Sequence, residues 1–548
     1  MNDPCNTTET HTVFNQPPPL DPYNIFSTDI ALREATHSQA KWAESELHTY
    51  GQLAGNSLFH AGFLANENLP QLRTHDRFGH RIDQVDFHPA YHQLMQTAIE
   101  HGLPSSPWKT PRSGAHVARA AMIHLHNQVE AGSCCPLTMT FAAVPAIRNQ
   151  PDIAAHWLPL ITSCHYDPGN KPWFEKPGVT IGMAMTEKQG GTDVRANTTR
   201  ARPLGQRGSG RIYALTGHKW FCSAPMCDAY LVLAQTDKGL SCFLLPRWRE
   251  DGQRNGFYIQ RLKDKLGNRS NASSEVEFRE AHAWLIGEEG RGVPTIIEMV
   301  ALTRFDCITG SAALMRQAVA QAVHHCSHRQ VSGRVLTDHP LMQNVLADLA
   351  LESEAALAFS LRIARSLDNP ADEQEHLFCR IATAIGKYWI CKRAPGHINE
   401  AQECLGGAGY VEESILPRLY REAPVNSIWE GSGNVQCLDI LRAMQRQPGT
   451  LDAMFAELEK AAGVAPQLDQ HITTLKNSLI NTSNFRYEAR RLVEKLAICL
   501  QACFLLQAGN ALVADTFLRA RLKPEGLAYG TLPSGIPCAQ LIKRARPL

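Results

Sequence analysis

The chain has 548 residues, 44% hydrophobic and 20% charged, an ordinary globular composition that argues against wholesale disorder and is long enough for several structural units. No apolar run suits a membrane span, and the polar stretch Met1 to Gln16 lacks the basic and apolar regions of a secretory signal, so a cytoplasmic, reducing location is expected. The net charge of +1 hides an asymmetry: residues 476–548 hold 11 Lys+Arg against 4 Asp+Glu, a balance of +7, and residues 1–475 sum to −6. A cationic tail on an anionic body points to an anionic partner for the tail.

Up to about residue 180 helical stretches such as Ile30 to Tyr50 alternate with Pro- and Gly-containing turns. Gly114 to Glu130 reads as a helix with Val117, Ala121, Leu125 and Val129 on one face. Pro172 and Pro177 punctuate the chain before Ile181, Met183 and Met185 begin to alternate. Short apolar runs then follow, at Tyr213 to Leu215, Tyr230 to Ala234, Cys242 to Leu245, Phe257 to Gln260 and Val276 to Phe278, which predicts a compact all-β unit. Helical periodicity returns after Gly290-Arg291-Gly292 and runs through Met342 to Ala364 to about residue 445. Gln447-Pro448-Gly449 marks a boundary, and the remainder reads as helical until Gly526 to Pro537. The sixteen cysteines include the close pairs Cys134-Cys135, Cys222 with Cys227 and Cys499 with Cys503. None has zinc-knuckle spacing, so reduced thiols and no metal are expected. No GxGxxG opens a strand-turn-helix, which leaves the usual dinucleotide-binding fold unsupported.

Three segments carry chemistry. Met183-Ala-Met-Thr-Glu-Lys-Gln-Gly-Gly-Thr-Asp193 is a strand entering a loop that can offer backbone N–H groups and hydroxyls to a pyrophosphate or flavin, although Gly-Gly-Thr-Asp is also ordinary turn chemistry. Gly217-His-Lys-Trp-Phe-Cys-Ser-Ala-Pro225 offers Trp220 and Phe221 to cover a planar heterocycle and Ser223 as a donor; alone it reads equally as an aromatic pair in a β core. The third is Glu403-Cys-Leu-Gly-Gly-Ala-Gly-Tyr410, followed by Arg418 to Ala423 and Asn426-Ser-Ile-Trp-Glu-Gly-Ser-Gly-Asn434.

Together, the identities, order and separations of these segments resemble the acyl-CoA dehydrogenase superfamily over roughly residues 100–445. The resemblance implies an α+β multidomain fold: an N-terminal extension and helical domain (1–180), a middle β domain (181–289), a helical bundle (290–445) and an extra basic helical domain (446–548). Thr10 to Pro17, Leu262-Lys-Asp-Lys-Leu-Gly-Asn-Arg-Ser-Asn-Ala272 and the tail look most like the branch that serves the bacterial adaptive response to DNA alkylation. Resemblance to that branch implies FAD, a homotetramer and double-stranded DNA as partner. Carried over, Met183, Ala184, Met185, Thr186, Gly190, Gly191 and Thr192 line the flavin, with Thr186 and Thr192 as hydroxyl donors. Phe221, Cys222 and Ser223 flank the ring, and Ile428, Trp429, Gly431, Ser432 and Asn434 close the site. Arg329 reaches the pyrophosphate of a neighbouring subunit. The family usually has Phe near the Gly that follows it, whereas this chain has Ser332, which loses apolar contact with the cofactor.

Glu430 falls at the position of the family's base, which removes a proton alpha to a thioester carbonyl, and the other position used in the family is Thr303 here. A carboxylate capping a turn is the bland reading of Glu430. In the tail, Arg486, Arg490, Arg491 and Lys495 lie at spacings that place several of them on one side of a helix, and Arg519, Arg521, Lys523, Lys543, Arg544 and Arg546 form a second cluster. Such surfaces suit phosphate backbones through counterion release, without base reading; the bland reading is a solvated helix face. Three functions compete: an FAD-bound, DNA-associated protein of the alkylation response that protects DNA or destroys alkylating agents and has weak acyl-CoA dehydrogenase activity, a metabolic acyl-CoA dehydrogenase with an oligomerisation tail, and a non-enzymatic DNA shield.

Overall fold

The computed structural model describes residues 10–480, 485–523 and 526–547. Residues 1–9 of the polar N-terminus, and 481–484, 524–525 and 548 of the basic segment, lie outside the described residues.

The N-terminal unit contains α1 (Ile30–Ala40), α2 (Glu44–Leu53), α3 (Phe59–Glu67), β1 (Gln71–His75), β2 (Arg81–Asp86), α4 (Pro89–Glu100), α5 (Ser106–Lys109), α6 (Ala115–Asn127), α7 (Cys134–Arg148) and α8 (Pro151–Ile161). Asp29 starts α1 by accepting from the Leu32 N–H. The helix expected over Ile30 to Tyr50 is broken by a 3-10 turn at Lys41–Ala43. The antiparallel β1–β2 hairpin was not expected in a helical unit. Its turn is built by Asp76, whose carboxylate accepts from the backbone N–H of Phe78 (2.8 Å) and His80 (2.9 Å), with Gly79 at φ +86°. α6 also departs from its one-faced pattern: all 13 of its residues are buried, because α6 runs through the core.

The middle unit contains β3 (Ile181–Ala184), β4 (Arg200–Pro203), β5 (Ile212–Ser223), β6 (Ala229–Thr236), β7 (Gly239–Pro246), β8 (Phe257–Leu262) and β9 (Ser273–Ile286). Strands β6, β7, β9, β5 and β4 pair in a ring that the parallel bridge Arg200 to Gln235 closes, with β3 alongside β6 and β8 alongside β9. Closure removes exposed edges. β4 carries only four residues, two of them Arg and one Pro, which is why its pattern did not register as a strand.

The bundle follows as α9 (Gly292–His328), a hairpin of β10 (Gln330–Val331) and β11 (Arg334–Val335), α10 (Pro340–Leu367), α11 (Glu373–Cys404), α12 (Ile415–Asn426) and α13 (Gly433–Arg446). The tail adds α14 (Gly449–Glu459), α15 (Pro466–Ile480), α16 (Phe485–Gln507), α17 (Ala511–Arg521) and α18 (Cys538–Ala545). One core joins the N-terminal helices, the bundle and the tail; a second fills the barrel. α7 divides between them, with Cys134 and Leu137 in the first and Cys135 and Met139 in the second. α9 divides in the same way after Leu302, so Thr303 and Arg304 sit at the seam.

The tail does not stand apart. Leu496, Leu500 and Phe504 of α16 are buried in the shared core, and Phe504 meets Phe359 edge-on at 5.2 Å. Among the described residues no helix is long and apolar enough to cross a membrane, each cysteine is a free thiol, and no cluster of three or more His, Cys, Asp or Glu could hold a metal ion.

Candidate active site

The first segment begins on β3 with Met183 and Ala184 and leaves it at Met185. Met183 and Met185 pack against the barrel core. The Thr186 carbonyl accepts from the Trp220 N–H at 2.8 Å, which ties the first segment to the second. Just beyond, Glu187 is fully buried against Lys219 at 2.8 Å and accepts from the Thr198 and Thr199 N–H groups (2.7 and 3.1 Å). Lys219 also donates to the Leu233 carbonyl at 2.8 Å, and burial pulls its ammonium down to about 8. This pair anchors the loop so that Gly190, Gly191 and Thr192 are exposed beyond it. A side chain at Gly191 would fall 2.5 Å from the Thr186 hydroxyl, so glycine is what lets the two strands of the loop close.

A register shift in the β5–β9 pairing between Lys219 and Cys222 sets the orientation of the second segment. Trp220 is covered on one face by Lys263, whose Nζ lies 3.3 Å from the ring centroid, whereas Phe221 is 48% exposed. Cys222 points the other way, fully buried in the barrel core, so only its backbone is available to a cofactor. The Ser223 hydroxyl shares a hydrogen bond with that of Ser273 at 3.0 Å.

The third segment leaves α12 at Asn426 and enters α13 at Gly433. Ile428 is 65% exposed, and Ser432 and Asn434 are also exposed. Trp429 packs onto the barrel core. Glu430 and Gly431 take left-handed φ values of +57° and +95°. A non-glycine residue in that region carries backbone strain and persists only where its surroundings hold it there. Here they do: Arg304 Nε donates to the Glu430 carbonyl at 2.9 Å, and Gln436 Nε2 donates to the Glu430 and Gly431 carbonyls at 3.1 and 2.8 Å. Arg304 is itself held by Asp439 at 2.9 Å, which also binds Arg380 at 2.9 Å.

The Glu430 side chain faces the seam between the cores. Burial pushes its carboxyl above the ordinary range, and the Thr303 hydroxyl and the charge of Arg304 only partly oppose that. Cys135 of α7 faces the same space, near Ser223, Asn271, Lys265 and Glu430. Among the described residues, neither Glu430 Oε2 nor Trp429 Nε1 has a hydrogen-bond partner, though both are shielded from solvent. Unpaired buried polar atoms are costly, and a bound ligand relieves that cost. The three segments thus converge. Sequence reading found their residues, with Gln436 inside the stretch Ile428 to Leu438 that closes the site, but missed Cys135, which lies outside any motif.

Arg329 stands elsewhere. Its guanidinium donates to the Asn15 carbonyl at 2.6 Å, at the base of the exposed β10–β11 hairpin. Ser332 and Gly333, at φ +52° and +76°, form the tip of that hairpin. In the tail, Arg486, Arg490, Arg491, Lys495 and Lys523 are exposed. Arg490 donates to the Asn434 side chain at 2.8 Å, which brings α16 beside the third segment. Arg519 is half-committed to the Ser534 and Gly535 carbonyls at 3.0 and 3.3 Å. Arg521 corrects the sequence reading: it is inside, ion-paired with Asp348 and with Glu352, and is withdrawn from any cationic surface. Arg544 is likewise engaged by Glu34 and Glu354.

Comparison with known proteins gives the same architecture. Residues 15–168 match the family described as the adaptive response protein AidB N-terminal domain, 182–281 the acyl-CoA dehydrogenase middle domain, and 290–445 the acyl-CoA dehydrogenase C-terminal domain. The chain therefore belongs to the acyl-CoA dehydrogenase superfamily, a class of FAD-dependent oxidoreductases. Within it, the chain is 50% identical over 475 residues to the AidB protein of Escherichia coli (strain K12), covering 86% of this chain and 87% of that one. It is 29% identical to acyl-CoA dehydrogenase family member 11 of Caenorhabditis elegans, covering 79% and 72%. Among solved structures, Bd2924 in its apo form superimposes with a TM-score of 0.83 at 28% identity, covering 91% of this chain and all of that one. Caenorhabditis elegans ACDH-11 in complex with C11-CoA gives 0.84 at 26%, covering 93% and 91%.

Proposed function

We propose that the protein binds FAD and an acyl-CoA thioester at the seam between barrel and bundle, and associates with double-stranded DNA through the cations of α16 in the response to DNA alkylation. The observation that carries the enzymatic part is Glu430: a buried carboxyl on a strained loop with one oxygen unpaired. In that role Glu430 removes the proton alpha to the thioester carbonyl, and burial raises its basicity toward the working pH. FAD, when bound, supplies the acceptor for the hydride from the beta carbon. Residues Thr186, Gly190, Gly191 and Thr192 would hold its polar groups, and Phe221 and Trp429 would border its ring. The exposed hairpin with Arg329 at its base suits contact with the cofactor of a second copy, in keeping with a homotetramer. The test is anaerobic titration of the purified protein with an acyl-CoA series: loss of the flavin's visible absorption with the parent and not with Glu430→Gln supports the reading.

For DNA the support is that Arg486, Arg491 and Lys495 of one helix are all exposed, with Arg491 and Lys495 one turn apart on the same side. One observation favours a second reading of the tail: Arg521, Arg544 and the buried face of α16 tie it into the bundle, as an assembly element requires. Binding of duplex DNA at several salt concentrations separates the two.

A further inference from the structure

Lys387 lies in α11 between Gly386 and Tyr388 and is 1% exposed. A buried ammonium normally has a carboxylate partner. The acceptors of this one are carbonyls: Nζ donates to Asn426 O at 3.1 Å and to Gly431 O at 2.9 Å. Asn426 is the last residue of α12, where carbonyls are left without helical partners and a cation is favoured. Gly431 directly follows Glu430. One ammonium therefore spans both ends of the loop that carries the carboxylate.

We propose that Lys387 is a positioning residue for Glu430: it clasps the 426–431 loop at both ends and adds its positive charge to that of Arg304 beside the carboxylate. The inference rests on the role given to Glu430 above. The charged and titratable groups facing this space are few. Arg304 comes from α9 and is ion-paired with Asp439, Lys265 donates to the Asn271 carbonyl beside Cys135, Cys307 on α9 and Cys391 on α11 border the ammonium, and Cys135 of α7 faces Glu430. All three thiols have their ionisation pushed up by burial, so they stay neutral at working pH. Of the two cations that act on Glu430, Arg304 and Lys387, Lys387 is thus the one whose hydrogen bonds all go to uncharged acceptors, and its field favours the charged form of the carboxylate.

A purely structural lysine would contribute hydrogen bonds alone, so charge and hydrogen bonding must be varied separately. Lys387→Met removes both, and Lys387→Arg keeps the charge with donors to spare. Two readouts are taken on the FAD-loaded protein: hydrogen exchange of the 426–433 backbone by mass spectrometry, and the pH dependence of flavin bleaching by a short-chain acyl-CoA. Lys387→Met is expected to exchange this segment at least about tenfold faster and to move the acid limb upward, so that bleaching at pH 6 falls about tenfold further below its value at pH 8 than in the parent. Lys387→Arg should restore the acid limb. Unchanged exchange together with an unchanged acid limb in Lys387→Met overturns the proposal, as does an Arg variant that behaves like Met. If no thioester bleaches even the parent, the reading of Glu430 as a base is what fails; exchange still decides the clasp, faster supporting it and unchanged overturning it. Should Lys387→Met not fold, Lys387→Gln is read by the same criteria.

Discussion

Glu430 concentrates two costs in one residue, a left-handed backbone and a carboxyl removed from water. Together they explain why Arg304 and Gln436 converge on its carbonyl. Glu430→Gln should keep FAD and lose bleaching by acyl-CoA by about 10²- to 10⁴-fold, the usual contribution of a general base. The same substitution should stabilise the fold. A carboxyl whose folded-state pKa is raised lends stability that is complete below its unfolded value and lost as pH rises through the folded one. Thermal unfolding at pH 8 should therefore show a higher midpoint for Glu430→Gln than for the parent. Glu422 offers a sharper case. Burial and the nearby Glu130 push its carboxyl up to about 7, against donation from Asn268 and the charge of Arg418. Its contribution is present below about 4.5 and disappears as pH rises through about 7, a change on the order of 3 kcal/mol. Denaturant titrations from pH 5 to 8 should show that fall in the parent and a flatter profile in Glu422→Gln. Of these two carboxyls only Glu430 was legible in the sequence, because it sits inside a motif. Glu422 lies in the Arg418 to Ala423 segment, but its partner Asn268 is 154 positions away, and Lys387 looks like any lysine until its burial is known.

At the scale of elements, the helical, β, helical order was readable because apolar period and turn residues are local. What escaped was decided by contacts. The β1–β2 hairpin depends on an Asp76 turn, and β4 on a short pairing with β5. α6 lost its polar face because neighbours cover every side. Arg521 shows the limit most clearly: in sequence it belongs to a basic cluster, and in space it joins Asp348, Glu352 and Arg393 in a buried network that pins α17 to α10 and α11. Arg521→Met would leave the buried Asp348 without its cation, while Glu352 keeps Arg393, and should cost about 3–5 kcal/mol, seen as a lower unfolding midpoint and earlier proteolysis of the tail. Neutralising Arg486, Arg491 and Lys495 together should leave that midpoint nearly unchanged.

Across the whole molecule, shared packing changes how the tail can be tested. Removing everything beyond Gln447 exposes the faces of α10, α11 and α13 that α16 covers, so truncation would report on folding rather than on DNA. Point substitutions on the exposed side of α16 avoid this. If those cations meet phosphates, log affinity for duplex DNA falls linearly with log salt, and replacing Arg486, Arg491 and Lys495 reduces the slope by about 3. Arg490 should be kept out of that set, since it also holds Asn434 beside the site. The central claim is that three distant segments enclose a flavin with Glu430 facing the substrate. The visible spectrum of the purified protein, before and after anaerobic addition of an acyl-CoA series, tests it most directly. The expected result is a yellow protein whose absorption is lost with a suitable thioester; a colourless protein that takes up no FAD would contradict it.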